Sequence, residues 1–82
     1  MNTERAILKG MLADLKMKRM GLVVSIGANL KAVRNTLAAI NLRPIAEIDT
    51  EAALVHLKEA AVQKKELADI DAKIAEAERE LA

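Results

Sequence analysis

Residues 20–40 read MGLVVSIGANLKAVRNTLAAI, and this stretch decides the fold. On a helix with about 100° per residue, most of its large aliphatic side chains fall on one face. That face carries Leu22, Ile26, Val33, Leu37 and Ile40, with Val23 and Leu30 at its edge. Apolar spacings of three and four, sustained in this way, predict the middle of a long helix that is buried on one side.

The opposite side of the same helix carries small side chains where a solvated helix would carry charges. These are Gly21, Ser25, Ala28 and Ala32. Small side chains let a second helix approach closely, so we predict that these four residues form a self-association contact. Gly21 and Gly27 are explained equally well by such an approach and by tolerated weak points of the helix.

The helix boundaries follow from the breakers around Pro44. The residue before a proline is disfavoured in helical conformation, and Asn41 suits a left-handed helix cap. We therefore predict a first helix at about 3–40, a turn at about 41–49 and a second helix at about 50–81. Ile45 and Ile48, within the turn, are expected to cover the end of the core.

The second helix has an apolar side at alternating spacings of three and four, which is the pattern of a coiled-coil seam. Its members are Ala53, His56, Ala60, Gln63, Leu67, Ile70, Ile74, Ala77 and Leu81. Two long helices joined by a short turn predict an all-α, antiparallel two-helix hairpin that forms a single domain over residues 1–82. Because one hairpin leaves the small-residue side uncovered, we expect a homodimeric four-helix bundle. A monomer and a higher oligomer are the alternatives.

Charge is divided unevenly between the two halves of the chain. Residues 1–44 carry eight Lys or Arg and two Asp or Glu, whereas residues 45–82 carry five Lys or Arg and ten Asp or Glu.

Arg19 lies within the apolar side of the first helix, and in an antiparallel hairpin it would lie level with Asp71. We predict that the two form a buried polar pair, in preference to Arg19 serving as a recognition point.

A basic stripe along the first helix supports the alternative function, a small nucleic-acid-binding regulator. The stripe consists of Arg5, Lys9, Lys16, Lys31 and Arg34. Cations in a line can follow phosphates. No aromatic side chain, Arg-rich run or helix-turn-helix pattern accompanies them, so pairing with the acidic second helix is the preferred interpretation.

The chain lacks the usual combinations of catalytic and ligand-binding residues. It has no cysteine, one histidine and one serine, and no phosphate-binding glycine loop. His56 has no second metal ligand at a suitable spacing, and Ser25 has no nearby base in sequence. We therefore predict no enzymatic activity, no cofactor and no metal. Met11, Met17 and Met20 are interpreted as core residues rather than as an adaptable binding face.

These features favour a non-enzymatic, self-associating helical module that binds or scaffolds another protein. The longest uncharged run, residues 20–30, is too short to span a bilayer, so no transmembrane segment is predicted and the cytoplasm is the expected location. Reversible membrane attachment through residues 17–30 ranks third among the functions, because Trp and Phe anchors are absent.

Overall fold

The structure is a computed structural model that describes residues 2–82, and it confirms the all-α hairpin. Helix α1 spans Asn2–Ala38 and helix α2 spans Thr50–Leu81. The two helices pack antiparallel along their lengths and form a rod of 65 × 15 × 15 Å. Neither α1 nor α2 contains a stretch long and apolar enough to cross a bilayer.

Two short 3₁₀ turns, Ala39–Asn41 and Ile45–Glu47, connect the helices on either side of Pro44. The predicted left-handed cap at Asn41 is wrong, since no described non-glycine residue has a positive φ. The first helix tightens instead, and the amides of residues 42 and 43 both donate to the Ala39 carbonyl at 2.9 Å. α2 begins at Thr50, as predicted, and the Asp49 carboxylate caps it by accepting a hydrogen bond from the Ala52 amide at 3.0 Å.

The side of each helix that faces the other is called the seam here. All nine seam residues predicted on α2 are buried or half-buried, which confirms that part of the sequence pattern. On α1 the buried and half-buried positions include Leu8, Leu12, Leu15, Leu22, Ile26, Asn29, Val33 and Thr36. These spacings also alternate between three and four, except for a step of seven between Leu15 and Leu22 that spans the exposed Arg19, as expected where two long helices stay in contact over many turns.

The predicted face of α1 is wrong beyond Val33. Leu37 and Ile40 are 54% and 55% exposed, and Thr36 takes the seam position in place of Leu37. For Leu37 the reason is geometric, because a seam that follows a 3.5-residue repeat drifts away from a straight line drawn at 3.6 residues per turn. Ile40 lies in the 3₁₀ turn Ala39–Asn41, where α1 has already ended. Ile45 is also misplaced by the prediction, being 77% exposed, whereas Ile48 is half-buried as expected.

The buried apolar core is thin. Its residues below a tenth exposure are Ile26, Ile74 and three alanines, Ala53, Ala60 and Ala77. Alanine contributes one methyl group, so each of these three adds less apolar burial than a leucine would. The methionines are not core residues, since Met11, Met17 and Met20 are 55%, 71% and 69% exposed. Much of the aliphatic surface of the hairpin therefore faces solvent.

Candidate functional site

A polar layer of Asn29, His56 and Gln63 interrupts the seam in the half of the hairpin nearer the loop. Asn29, on α1, is 9% exposed and lies between two side chains that are seven residues apart on α2. Its Nδ2 donates to Gln63 Oε1 at 2.9 Å, and its Oδ1 lies 2.8 Å from His56 Nδ1. Because an amide oxygen only accepts, this arrangement requires the proton of neutral His56 to be on Nδ1.

The polar layer favours one register of the two helices. Sliding α2 along α1 would break both hydrogen bonds of Asn29 and leave its amide buried without partners. Among residues 2–82, no buried side-chain nitrogen or oxygen lacks a partner, so the layer is satisfied as it stands. Residues 2–82 also contain no group of three or more His, Cys, Asp or Glu side chains that could hold a metal ion.

Arg19 and Asp71 are brought together across the seam, but they are not buried. Arg19 Nε donates to Asp71 Oδ1 at 2.6 Å, while the two side chains stay 45% and 47% exposed. The predicted burial is therefore wrong, because a rod of two helices is too narrow to enclose a long arginine side chain together with the carboxylate that it contacts. Solvent screening places the pair closer to a surface ion pair than to an interior one.

We expect modest, non-additive effects when this pair is removed. Arg19→Ala and Asp71→Ala should each destabilise the hairpin, and the double variant should cost less than the sum, with a coupling of about 0.2–1 kcal/mol. Urea denaturation of the four proteins, followed by circular dichroism, measures the cycle. Strict additivity would show that the contact contributes nothing to stability.

The predicted basic stripe lies on the surface of α1, and one of its members is engaged within the chain. All five of its residues are exposed, and Arg5 Nη2 donates to the Leu81 carbonyl at 3.0 Å, where the two ends of the hairpin meet. A cation near the C-terminus of a helix also interacts favourably with the helix dipole, so Arg5 helps to hold the end of α2.

The predicted self-association residues lie along one flank of α1, which we call the small-residue flank. Gly21, Ser25 and Ala28 are exposed, while Ala32 is half-buried. A side chain added at Gly21 or Gly27 would meet nothing within 4 Å, so the approach of α2 does not require these glycines. Within the hairpin, the small-residue flank is open surface.

The other flank carries larger side chains. The sequence pattern places Val23 and Leu30 at the edge of the buried face but does not mark this flank as a separate surface. Leu30 of α1 and Leu57 and Ala61 of α2 line one shallow groove between the helices. Val23 and Leu37 lie seven residues from Leu30 on either side, and Leu54 lies one turn from Leu57, so they extend the same surface. We call these six residues the aliphatic flank. Its five large side chains are 43–54% exposed.

The sequence held a signal for both features that were missed. The alternating spacing that begins with Leu8, Leu12 and Leu15 continues to Asn29. The position of Asn29 in this series indicates that it faces α2, although a pattern of hydrophobic residues leaves it out. The same frame puts Val23, Leu30 and Leu37 beside the seam rather than in it.

Comparisons of the chain with protein-family models, with curated proteins and with solved structures find no significant match.

Proposed function

We propose that the chain is a non-enzymatic helical module that associates with itself and binds or scaffolds another protein. The observation that carries this proposal is the apolar surface left open by the hairpin: fifteen large hydrophobic residues among those described are 43–87% exposed. Contiguous apolar patches on a folded domain are typical of sites that bind protein partners or membranes.

The accessible area of the chain supports the proposal quantitatively. The hairpin exposes 6388 Å², compared with roughly 4,800 Å² expected for a compact monomer of 8.9 kDa. The excess of roughly 1,600 Å² per copy is about twice the area that each partner buries in a standard-size interface. If both copies buried this area, the total would lie in the range of obligate homodimer interfaces. An interface of that size would cover one flank of each copy and add to the thin core.

The outer side of α1 would remain available after self-association through either flank. Met17 and Val24, seven residues apart, are 71% and 72% exposed and lie away from α2. We place the contact with another protein on this side. For the nucleic-acid alternative, the structure adds no supporting observation: the basic stripe runs beside an acidic helix, and Arg5 is bound to the Leu81 carbonyl.

Multi-angle light scattering at micromolar concentration tests the self-association. We expect a mass of about twice 8.9 kDa for the native chain, because the exposed aliphatic area is removed from water in the pair. Stable monomer over the whole micromolar range would contradict the proposal. Ala28→Glu, on the small-residue flank, tests whether that flank is the contact: dissociation of this variant would place the interface there, as the sequence predicts.

A further inference from the structure

The aliphatic flank changes character along the rod. Residues seven apart share a side of each helix, and on α1 this series reads Lys9, Lys16, Val23, Leu30 and Leu37. On α2 the corresponding series reads Leu57, Lys64, Asp71 and Glu78. The flank is therefore mainly aliphatic in the half nearer the loop, where Lys64, near the middle of α2, is the charged member of these series. In the half nearer the termini the series are basic on α1 and acidic on α2.

Resting on the proposed self-association, we infer that a second copy of this chain covers the aliphatic flank, with the loops of the two copies at the same end of the bundle. A two-fold axis along the rod produces this arrangement, and it places α1 of each copy antiparallel to α2 of the other. Leu30 and Leu57 of one copy then meet the same residues of the other at the same level. Their exposed area is buried symmetrically.

Charge complementarity selects this arrangement over its alternative. With the loops together, Lys9 and Lys16 of one copy face the part of α2 in the second copy that carries Glu78 and Asp71, the latter already bound to Arg19 of its own copy. With the loops at opposite ends, α1 would face α1, and in full overlap the lysines of each copy would lie against the aliphatic half of the other. Burying a lysine ammonium against leucine without a partner is unfavourable, so the first arrangement is preferred.

Distances between spin labels test the arrangement. The chain has no cysteine, so a single label can be attached through Ala46→Cys at the loop or Ala82→Cys at the termini, both exposed positions. With loops together, both labels should give inter-copy distances of about 15–30 Å, the width of a four-helix bundle. With loops apart, both distances should be at least about 40 Å, a large part of the 65 Å rod. Long distances would overturn the inference while leaving self-association intact.

Matched variants test the flank. Leu30→Glu should convert the dimer to monomer in light scattering, whereas Ala28→Glu, two residues away on the small-residue flank, should leave it dimeric. The opposite pattern would overturn the inference and move the contact to the small-residue flank. A monomeric native chain would instead refute the proposed function itself. Circular dichroism shows whether Leu30→Glu stays helical, and the label distances decide the arrangement without altering the flank.

Discussion

Ala60→Asp should be the most damaging single substitution in the chain. Ala60 is 1% exposed, in the seam between the α2 residues that bind Asn29. An aspartate there would bury a carboxylate without a partner and press against a closely packed helix. We expect a loss of about 3 kcal/mol or more in the free energy of unfolding, which is enough to unfold a marginal domain. Thermal and urea denaturation, monitored by circular dichroism at fixed protein concentration, measure this loss.

Ala72→Asp is the matched control for this substitution. It makes the same chemical change in the same helix at an exposed position, so only the helix propensity of aspartate should matter, at about 0.5–1 kcal/mol. If the two variants lost equal stability, Ala60 would not lie in a packed seam and the described pairing of the helices would be incorrect.

Ile26→Ala should have the second largest effect. Ile26 is 8% exposed and is one of two large aliphatic side chains buried to that degree, together with Ile74. Truncation removes three carbon atoms from the seam and leaves a cavity that rigid helices fill only in part. The expected cost is about 2 kcal/mol or more, measured as the shift of the urea midpoint multiplied by the m-value.

Ile7→Ala provides the comparison for Ile26→Ala. Ile7 is 59% exposed, so the same truncation should change stability by less than about 1 kcal/mol. A loss at Ile7 as large as that at Ile26 would contradict the assignment of the seam, because apolar burial would then not distinguish the two positions.

The hairpin itself could be predicted from the sequence because its signals agree with one another. The breakers around Pro44 and the absence of glycine and proline from residues 50–81 define two helices and one turn. On α2 the alternating spacing indicates the correct seam even at His56 and Gln63, because it depends on position and not on polarity. On α1 the large aliphatic residues indicate a different line, which includes Leu37 and leaves out Asn29.

The candidate sites were less predictable, for two physical reasons. Aliphatic residues occur on more than one side of α1, so hydrophobicity alone does not decide which of them α2 covers. The exposure of a charged pair depends on the width of the surrounding surface, and a sequence pattern does not contain that width. The sequence therefore predicts that Arg19 and Asp71 lie opposite each other, which the structure confirms, but it also predicts their burial, whereas nearly half of each side chain is exposed.

The position of the polar layer also bears on the order in which the hairpin can close. Asn29 reaches His56 across 27 residues, Arg19 reaches Asp71 across 52, and Arg5 reaches the carbonyl of Leu81 across 76. The entropic cost of closing a loop rises with the logarithm of its length. The Asn29–His56 contact therefore costs about 0.9 kcal/mol less to close than the Arg5–Leu81 contact. Zipping from the loop is consequently the least costly route, and it meets the Asn29 layer before the other two contacts. In a misaligned pair of helices the side-chain amides of Asn29 and Gln63 would lack partners at a stage when most of the chain has not yet paired. The two helices could then separate and pair again in the correct register.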